Sequence, residues 1–398
     1  MASDAEPGMA YAYCVANDGC VLAFQTSRPT NRDSHQQQPS LPFPAATLAA
    51  NSEGGETEDA EEEICILLLH GFSGSSRYFT RNYPGLTASR HWVVAADLRG
   101  HGNSGRPAGG YHVARLAADL RDLVAHLRWV YSAAAPPSST HAGTENRERK
   151  RLKFVPVGCS IGAAVVWTYV ELFGSDDDDF AGYVFADQAP LQDRSAFGDY
   201  FLYDSDDSGD GNRGEAKSGE AKRGRGWDAS RAHLSCYDEA TLQAAQAAWA
   251  ADPEAAGREL AASCLGYRHA PEAGDGAGAD ADADAAFFAA ISARCDGAWL
   301  ARLLADHTRY DHREALEALA APALVLAGRR TGCFPLAGMR EVAARVEHAS
   351  GAGRARLVLF GSGHWMFYEE PDRFNTEVLA FVESCRARPR VRPPEEGR

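Results

Sequence analysis

The chain has 398 residues, of which 45% are hydrophobic and 24% charged, with a formal net charge of −15. Those proportions suit a soluble globular protein, either one large domain with insertions or two domains. The negative balance argues against nucleic acid and anionic membranes as partners. The acidic runs Glu56 to Glu63 and Asp176 to Asp179 read as solvated loops.

The nine cysteines are odd in number, lack any C-x-x-C pair, and several fall inside apolar runs (Cys65, Cys159, Cys295). That usage fits a reducing compartment better than secretion. The first residues, Met1 to Glu6, lack the basic and apolar regions of a signal peptide, and no apolar run reaches membrane-spanning length. The expectation is a soluble, cytoplasmic protein of open oligomeric state.

In chain order, Ala10 to Ala16 and Cys20 to Phe24 flank a turn at Asn17-Asp18-Gly19 and predict a hairpin. Residues 26–63 are polar and biased, which predicts a disordered insertion. Ile64 to Leu69 is a continuous apolar run, as a strand buried on both faces of a parallel sheet requires. It ends in His70-Gly71-Phe72. A second such strand, His91 to Ala96, ends in Asp97-Leu98-Arg99-Gly100-His101-Gly102-Asn103-Ser104. Leu116, Leu120, Leu123, Val124 and Leu127 then recur at helical spacing, followed by a second insertion at 132–150.

Phe154 to Val157 predicts a strand, and Gly158-Cys159-Ser160-Ile161-Gly162 a sharp turn into the helix that follows. Phe180 to Ala186 predicts the next strand, closing in Asp187-Gln188-Ala189-Pro190. Residues 193–310 carry no convincing strand and read as an α-helical cap, interrupted by low-complexity runs at 204–225 and 273–285. Ala323 to Ala327 and Ala355 to Phe360 resume the sheet, with helices at Leu336 to Val346 and Phe374 to Val382 and a disordered tail at 386–398. The whole predicts a doubly wound, mostly parallel α/β core over 1–192 and 311–398 with the cap inserted between.

Ser160 lies between two glycines in the G-x-S-x-G pattern of a nucleophile elbow. A serine hydroxyl is a poor nucleophile at neutral pH and needs an adjacent base. His364, on a glycine-rich loop directly after the last predicted strand, is the candidate base. The acyl oxyanion needs backbone donors, and the N–H groups of Phe72 and Ile161 are placed to serve. His70 reads as a structural hydrogen-bonding residue and His101 as a packing residue. No metal-ligand spacing, P-loop or dinucleotide fingerprint is present.

The motifs His70-Gly71-Phe72, Asp97 to Ser104, Gly158 to Gly162 and Gly361-Ser362-Gly363-His364 occur in the order found in α/β-hydrolases. The chain resembles the members with a helical cap, close to the non-haem haloperoxidase-like and esterase-like group, over Met9 to Val382 apart from the insertions. The resemblance implies the α/β-hydrolase fold, no cofactor, and acyl transfer from a small ester, thioester or related carbonyl substrate to water. Similar haloalkane dehalogenases and epoxide hydrolases place Asp at the elbow, which Ser160 replaces here.

The resemblance also implies an acid after the penultimate strand, where this sequence departs from the pattern. Thr331 occupies that position, and no Asp or Glu occurs from Ala321 to Arg340. Some members draw the acid from the loop after the strand that follows the elbow, which here is Asp187; Asp306 and Asp311 are rivals. Trp249, Trp299 and Trp365 are the candidate pocket residues. A catalytically weak, ligand-binding member and a haloperoxidase or perhydrolase activity on the same triad are the alternative functions.

Overall fold

The computed structural model describes residues 5–28, 62–133, 151–175, 179–191, 239–269, 278–351 and 353–386. The expected insertions at 26–63, 132–150 and 204–225 and the tail at 386–398 lie wholly or largely outside them. One eight-stranded sheet runs in the order β1-β2-β4-β3-β5-β6-β7-β8. β1 (Ala10–Val15) and β2 (Val21–Thr26) form the antiparallel hairpin, with Val15 opposite Val21 across the Asn17-Asp18-Gly19 turn. β3 (Glu62–Leu69), β4 (Trp92–Ala96), β5 (Arg151–Cys159), β6 (Tyr183–Ala186), β7 (Ala323–Gly328) and β8 (Ala355–Phe360) are parallel.

The helices, in chain order, are α1 (Tyr83–Thr87), α2 (Val113–Ala133), α3 (Ile161–Phe173), α4 (Glu239–Ala251), α5 (Pro253–Cys264), α6 (Gly278–Ser292), α7 (Gly297–Arg309), α8 (Arg313–Glu317), α9 (Leu336–Ser350), α10 (Met366–Glu369) and α11 (Pro371–Arg386). β3 explains why the run Ile64 to Leu69 has no polar face. Cys65, Leu67 and Leu69 enter one core layer with residues of α2, α3, α8 and α9. Ile64, Ile66 and Leu68 enter the other with residues of α1, α10 and α11. Side chains alternate across a strand, so a sheet covered on both faces demands apolar residues at every position.

α4 to α7 lie within the segment read as a cap, where α4 packs on α7 and α5 on α6. Leu242, Trp249, Ala256, Cys295, Leu300 and Leu304 form a separate buried cluster there. α6 begins inside the run at 273–285, so the latter half of that run is helix rather than an interruption. Alanine has the strongest helix propensity of any residue, and the run is rich in it. Among the described residues, no helix is long and apolar enough to cross a membrane.

Candidate active site

The site forms at the C-terminal edge of the parallel strands, where loops after β3, β5, β6, β7 and β8 meet. β5 pairs with β6 so that Cys159 lies opposite Ala186, and the Ser160 N–H donates to the Ala186 carbonyl at 2.9 Å. Ser160 and Asp187 are therefore the first residues past two hydrogen-bonded strand ends. Both turn with positive φ, 53° and 49°, a conformation that costs a non-glycine residue about 1–3 kcal/mol.

The flanking glycines permit the turn. A Cβ on Gly158 would stand 2.5 Å from the Ala163 nitrogen, and one on Gly162 would strike the Leu69 carbonyl oxygen. Strand and helix could not approach with larger residues. Ser160 caps α3, and Ile161 is its first helical residue, where the leading N–H groups have no intrahelical acceptor. Gly71 brings the loop after β3 onto Ser160: its absent Cβ would lie 3.1 Å from the Ser160 Cβ. Phe72 follows directly.

His364 Nδ1 is 2.6 Å from Asp187 Oδ2, and both side chains are buried. Asp187 also accepts from the Gly328 N–H at 3.1 Å through Oδ1 and from the Thr331 hydroxyl at 2.9 Å through Oδ2. Thr331, at the position where an acid was expected, thus holds a carboxylate supplied by the neighbouring strand. The rivals lie elsewhere. Asp306 accepts from the Val113 N–H at 2.8 Å, and Asp311 pairs with Arg313 at 2.8 Å.

Burial alone would lower the basicity of His364. The Cys333 sulfur and the Asp187 carboxylate outweigh it and lift the imidazole to about 9. The His364 N–H donates to the Cys264 carbonyl at 2.8 Å, which ties its loop to the end of α5. Glu369 reinforces the join, accepting from the N–H groups of Gly363 at 2.9 Å and Gly266 at 3.0 Å.

His70 and His101 are buried. Leu98 donates its N–H to His70 Nε2 at 2.9 Å, so Nδ1 carries the proton that reaches the Gly71 carbonyl at 2.7 Å. Burial pulls His70 down to about 4 and, with His70 beside it, His101 to about 3. Both are neutral supports for the loops after β3 and β4.

The three tryptophans occupy different places. Trp249 meets Phe72 edge-on, with ring centroids 5.1 Å apart. Trp299 packs against Gly100 and edge-on to His101, while Trp365 stacks on Phe288 at 3.7 Å. All three are buried, and Trp249 is the one set against a candidate oxyanion residue.

The family assignment follows from one match. The model of the alpha/beta hydrolase family matches residues 66–377. The chain belongs to that family. Among curated relatives it is similar to a soluble epoxide hydrolase of Corynebacterium sp. (strain C12), 42% identical over 62 residues, which is 16% of this chain and 21% of that protein. The match thus spans about a fifth of the relative's length. Among solved structures it is similar to an esterase from Exiguobacterium antarcticum, with TM-score 0.61 and 13% identity over 94% of this chain and 99% of that one. It is likewise similar to a bromoperoxidase from Bacillus anthracis, with TM-score 0.60 and 17% identity over 94% of this chain and 100% of that one. At such identities the likeness is one of fold.

Within this α/β hydrolase, sequence reading missed the bond from Thr331 to Asp187, the role of Glu369 and a cluster at the cap boundary. One side-chain sulfur or nitrogen atom from each of Cys264, Cys333 and His364 lies within 4.8 Å of the others. The sequence does not show this grouping because these residues come from three distant segments. The Thr at an expected acid position was the one visible signal that another side chain supplies the charge.

Proposed function

We propose that the chain is a serine hydrolase acting on a small ester, thioester or related carbonyl substrate. Ser160 Oγ attacks the carbonyl carbon while His364 Nε2 takes its proton, and Asp187 holds Nδ1–H and stabilises the imidazolium. The N–H groups of Phe72 and Ile161 receive the oxyanion, a contribution of about 10²–10³ in rate for each donor. His364 then protonates the leaving group. Water, deprotonated by the same imidazole, hydrolyses the acyl-serine.

The observation that carries this reading is the 2.6 Å contact between His364 Nδ1 and the buried Asp187, on the loop next to Ser160. A hydroxyl at the elbow gives an acyl ester that water can release, which favours acyl transfer. Trp249, beside Phe72, is proposed to border the acyl pocket. The ligand-binding alternative drew its ground from the absence of an acid after β7, and Asp187 supplies a carboxylate without it. A panel of p-nitrophenyl esters of increasing acyl length, offered to wild type and to Ser160→Ala, tests the reading. Turnover by wild type alone supports it; no turnover of any ester by folded wild type counts against it.

A further inference from the structure

Cys264 and Cys333 meet across the boundary between the last turn of α5 and the loop after β7, with their sulfur atoms 3.3 Å apart. Backbone hydrogen bonds hold the two segments in register. The Gly332 N–H donates to the Ser263 carbonyl at 3.1 Å, and the His364 N–H to the Cys264 carbonyl at 2.8 Å. The Cys333 N–H donates to Thr331 Oγ1 at 3.1 Å, linking its position to the residue that holds Asp187. A disulfide needs the sulfurs at about 2.05 Å, so forming one requires the two sulfurs to close the remaining gap. Cys264 is buried, whereas Cys333 is partly exposed.

We propose that Cys333 and Cys264 form a hydroperoxide-sensitive thiol pair, with Cys333 the attacking thiolate and Cys264 the resolving thiol. The Cys333 thiolate attacks a peroxide oxygen; the O–O bond breaks, a sulfenic acid forms on Cys333, and hydroxide leaves to become water. The Cys264 sulfur then attacks the sulfenyl sulfur. The S–S bond forms, the S–O bond breaks, and a second water departs with the Cys264 proton. Two thiols are oxidised by two electrons and one peroxide is reduced to two waters.

The roles follow from the surroundings. The hydrogen bond from Cys264 pushes the Cys333 thiol down against burial, with His364 assisting, and a thiolate is the reactive form. Cys264 is buried behind the more exposed Cys333, so peroxide reaches Cys333 first, and burial pushes the Cys264 thiol up. Burial also pushes up Cys14, Cys65, Cys159 and Cys295, which makes them slow to react.

Oxidation has a consequence at the site. The charges facing His364 are Asp187 and Cys333; the Cys264 thiol and, beside it, Glu369 are the next titratable groups. A disulfide abolishes the Cys333 charge and leaves Asp187 to face the imidazole alone, so the His364 titration moves to lower pH. It also staples the cap to the loop that carries Thr331. The effect on turnover rests on the serine hydrolase reading; formation of the bond does not.

The test treats the full chain with graded hydrogen peroxide, then maps disulfides by peptide mass and follows the His364 ring by NMR through a pH titration. The expected result is a Cys264–Cys333 cross-link formed before other cysteines react, reversed by dithiothreitol, with the His364 titration at lower pH in the oxidised form. Cys264→Ser should abolish the cross-link and leave Cys333 as a sulfenic acid that dimedone traps. If that variant fails to fold, Cys333→Ser should protect Cys264 from oxidation. Cross-linking to another cysteine, over-oxidation of wild-type Cys333 without a cross-link, or an unmoved His364 titration overturns the proposal. Fluorophosphonate labelling of the reduced protein judges the hydrolase reading separately: a cross-link without labelling leaves the thiol pair standing and rejects that reading.

Discussion

Thr331 donates its hydroxyl to Asp187 Oδ2 at 2.9 Å, on the same oxygen that His364 Nδ1 reaches at 2.6 Å. Thr331 stands where an acid was expected, and Asp187 presents its carboxylate from the loop after β6. Asp187→Asn should keep the fold and cut kcat by about 10⁴, because the amide no longer fixes the imidazole tautomer. The double change Asp187→Ser with Thr331→Asp should recover at least tenfold of that loss, since position 331 already reaches the same place. Steady-state kinetics on one ester substrate, beside thermal melts of each variant, decide both points.

The pH profile should carry the signature of Cys333. With His364 lifted to about 9 by Cys333 and Asp187, the base is protonated at neutral pH, so kcat/KM should rise as pH rises towards that value. Cys333→Ala removes one of the two raising charges and should move the rising limb to lower pH. The same shift has a stability sign. Protonated His364 stabilises the fold below its unfolded value of about 6.5, and that contribution fades as pH rises through about 9.

Much of the fold was legible because its chemistry is local. β3, β4 and β5 show continuous apolar runs since helices cover both faces, and the elbow shows its glycines because bulk there would strike Ala163 and Leu69. Asp187 was reachable through the family resemblance, once no carboxylate was found between Ala321 and Arg340. The sulfur contact of Cys264 with Cys333 was not legible, since it depends on how the cap seats on the core. The start of α6 was hidden by composition: Ala, Gly and Asp looked like a spacer, while the alanines favour helix.

Close packing at the elbow predicts an asymmetric pair of glycine substitutions. Gly162→Ala drives a methyl into the Leu69 carbonyl, a backbone atom that cannot swing away, and should cost about 1–3 kcal/mol or more. Gly109→Ala, where no atom lies within 4 Å of the added carbon, should be close to neutral. Urea denaturation of the two variants gives the comparison.

Buried neutral histidines set the acid limit of stability. His70 is held down to about 4, and His101 and His312 to about 3, by burial in each case. The unfolded chain takes up protons below about 6.5 that the folded chain refuses, so each group weakens the fold by about 1.4 kcal/mol per pH unit between there and its folded value. Neither ring nitrogen of the buried His312 has a hydrogen-bond partner among the described residues. His312→Phe should therefore raise the melting temperature at pH 5 more than at pH 8. An equal change at both pH values contradicts the burial argument.

Peptide mass mapping after treatment of the protein with a fluorophosphonate tests the assignment of Ser160 most directly. One phosphonyl adduct is expected on Ser160, its formation slowed by orders of magnitude in His364→Ala and absent in Ser160→Ala. A folded wild-type protein that takes no adduct, or takes it on another residue at the same rate with and without Ser160, contradicts the assignment.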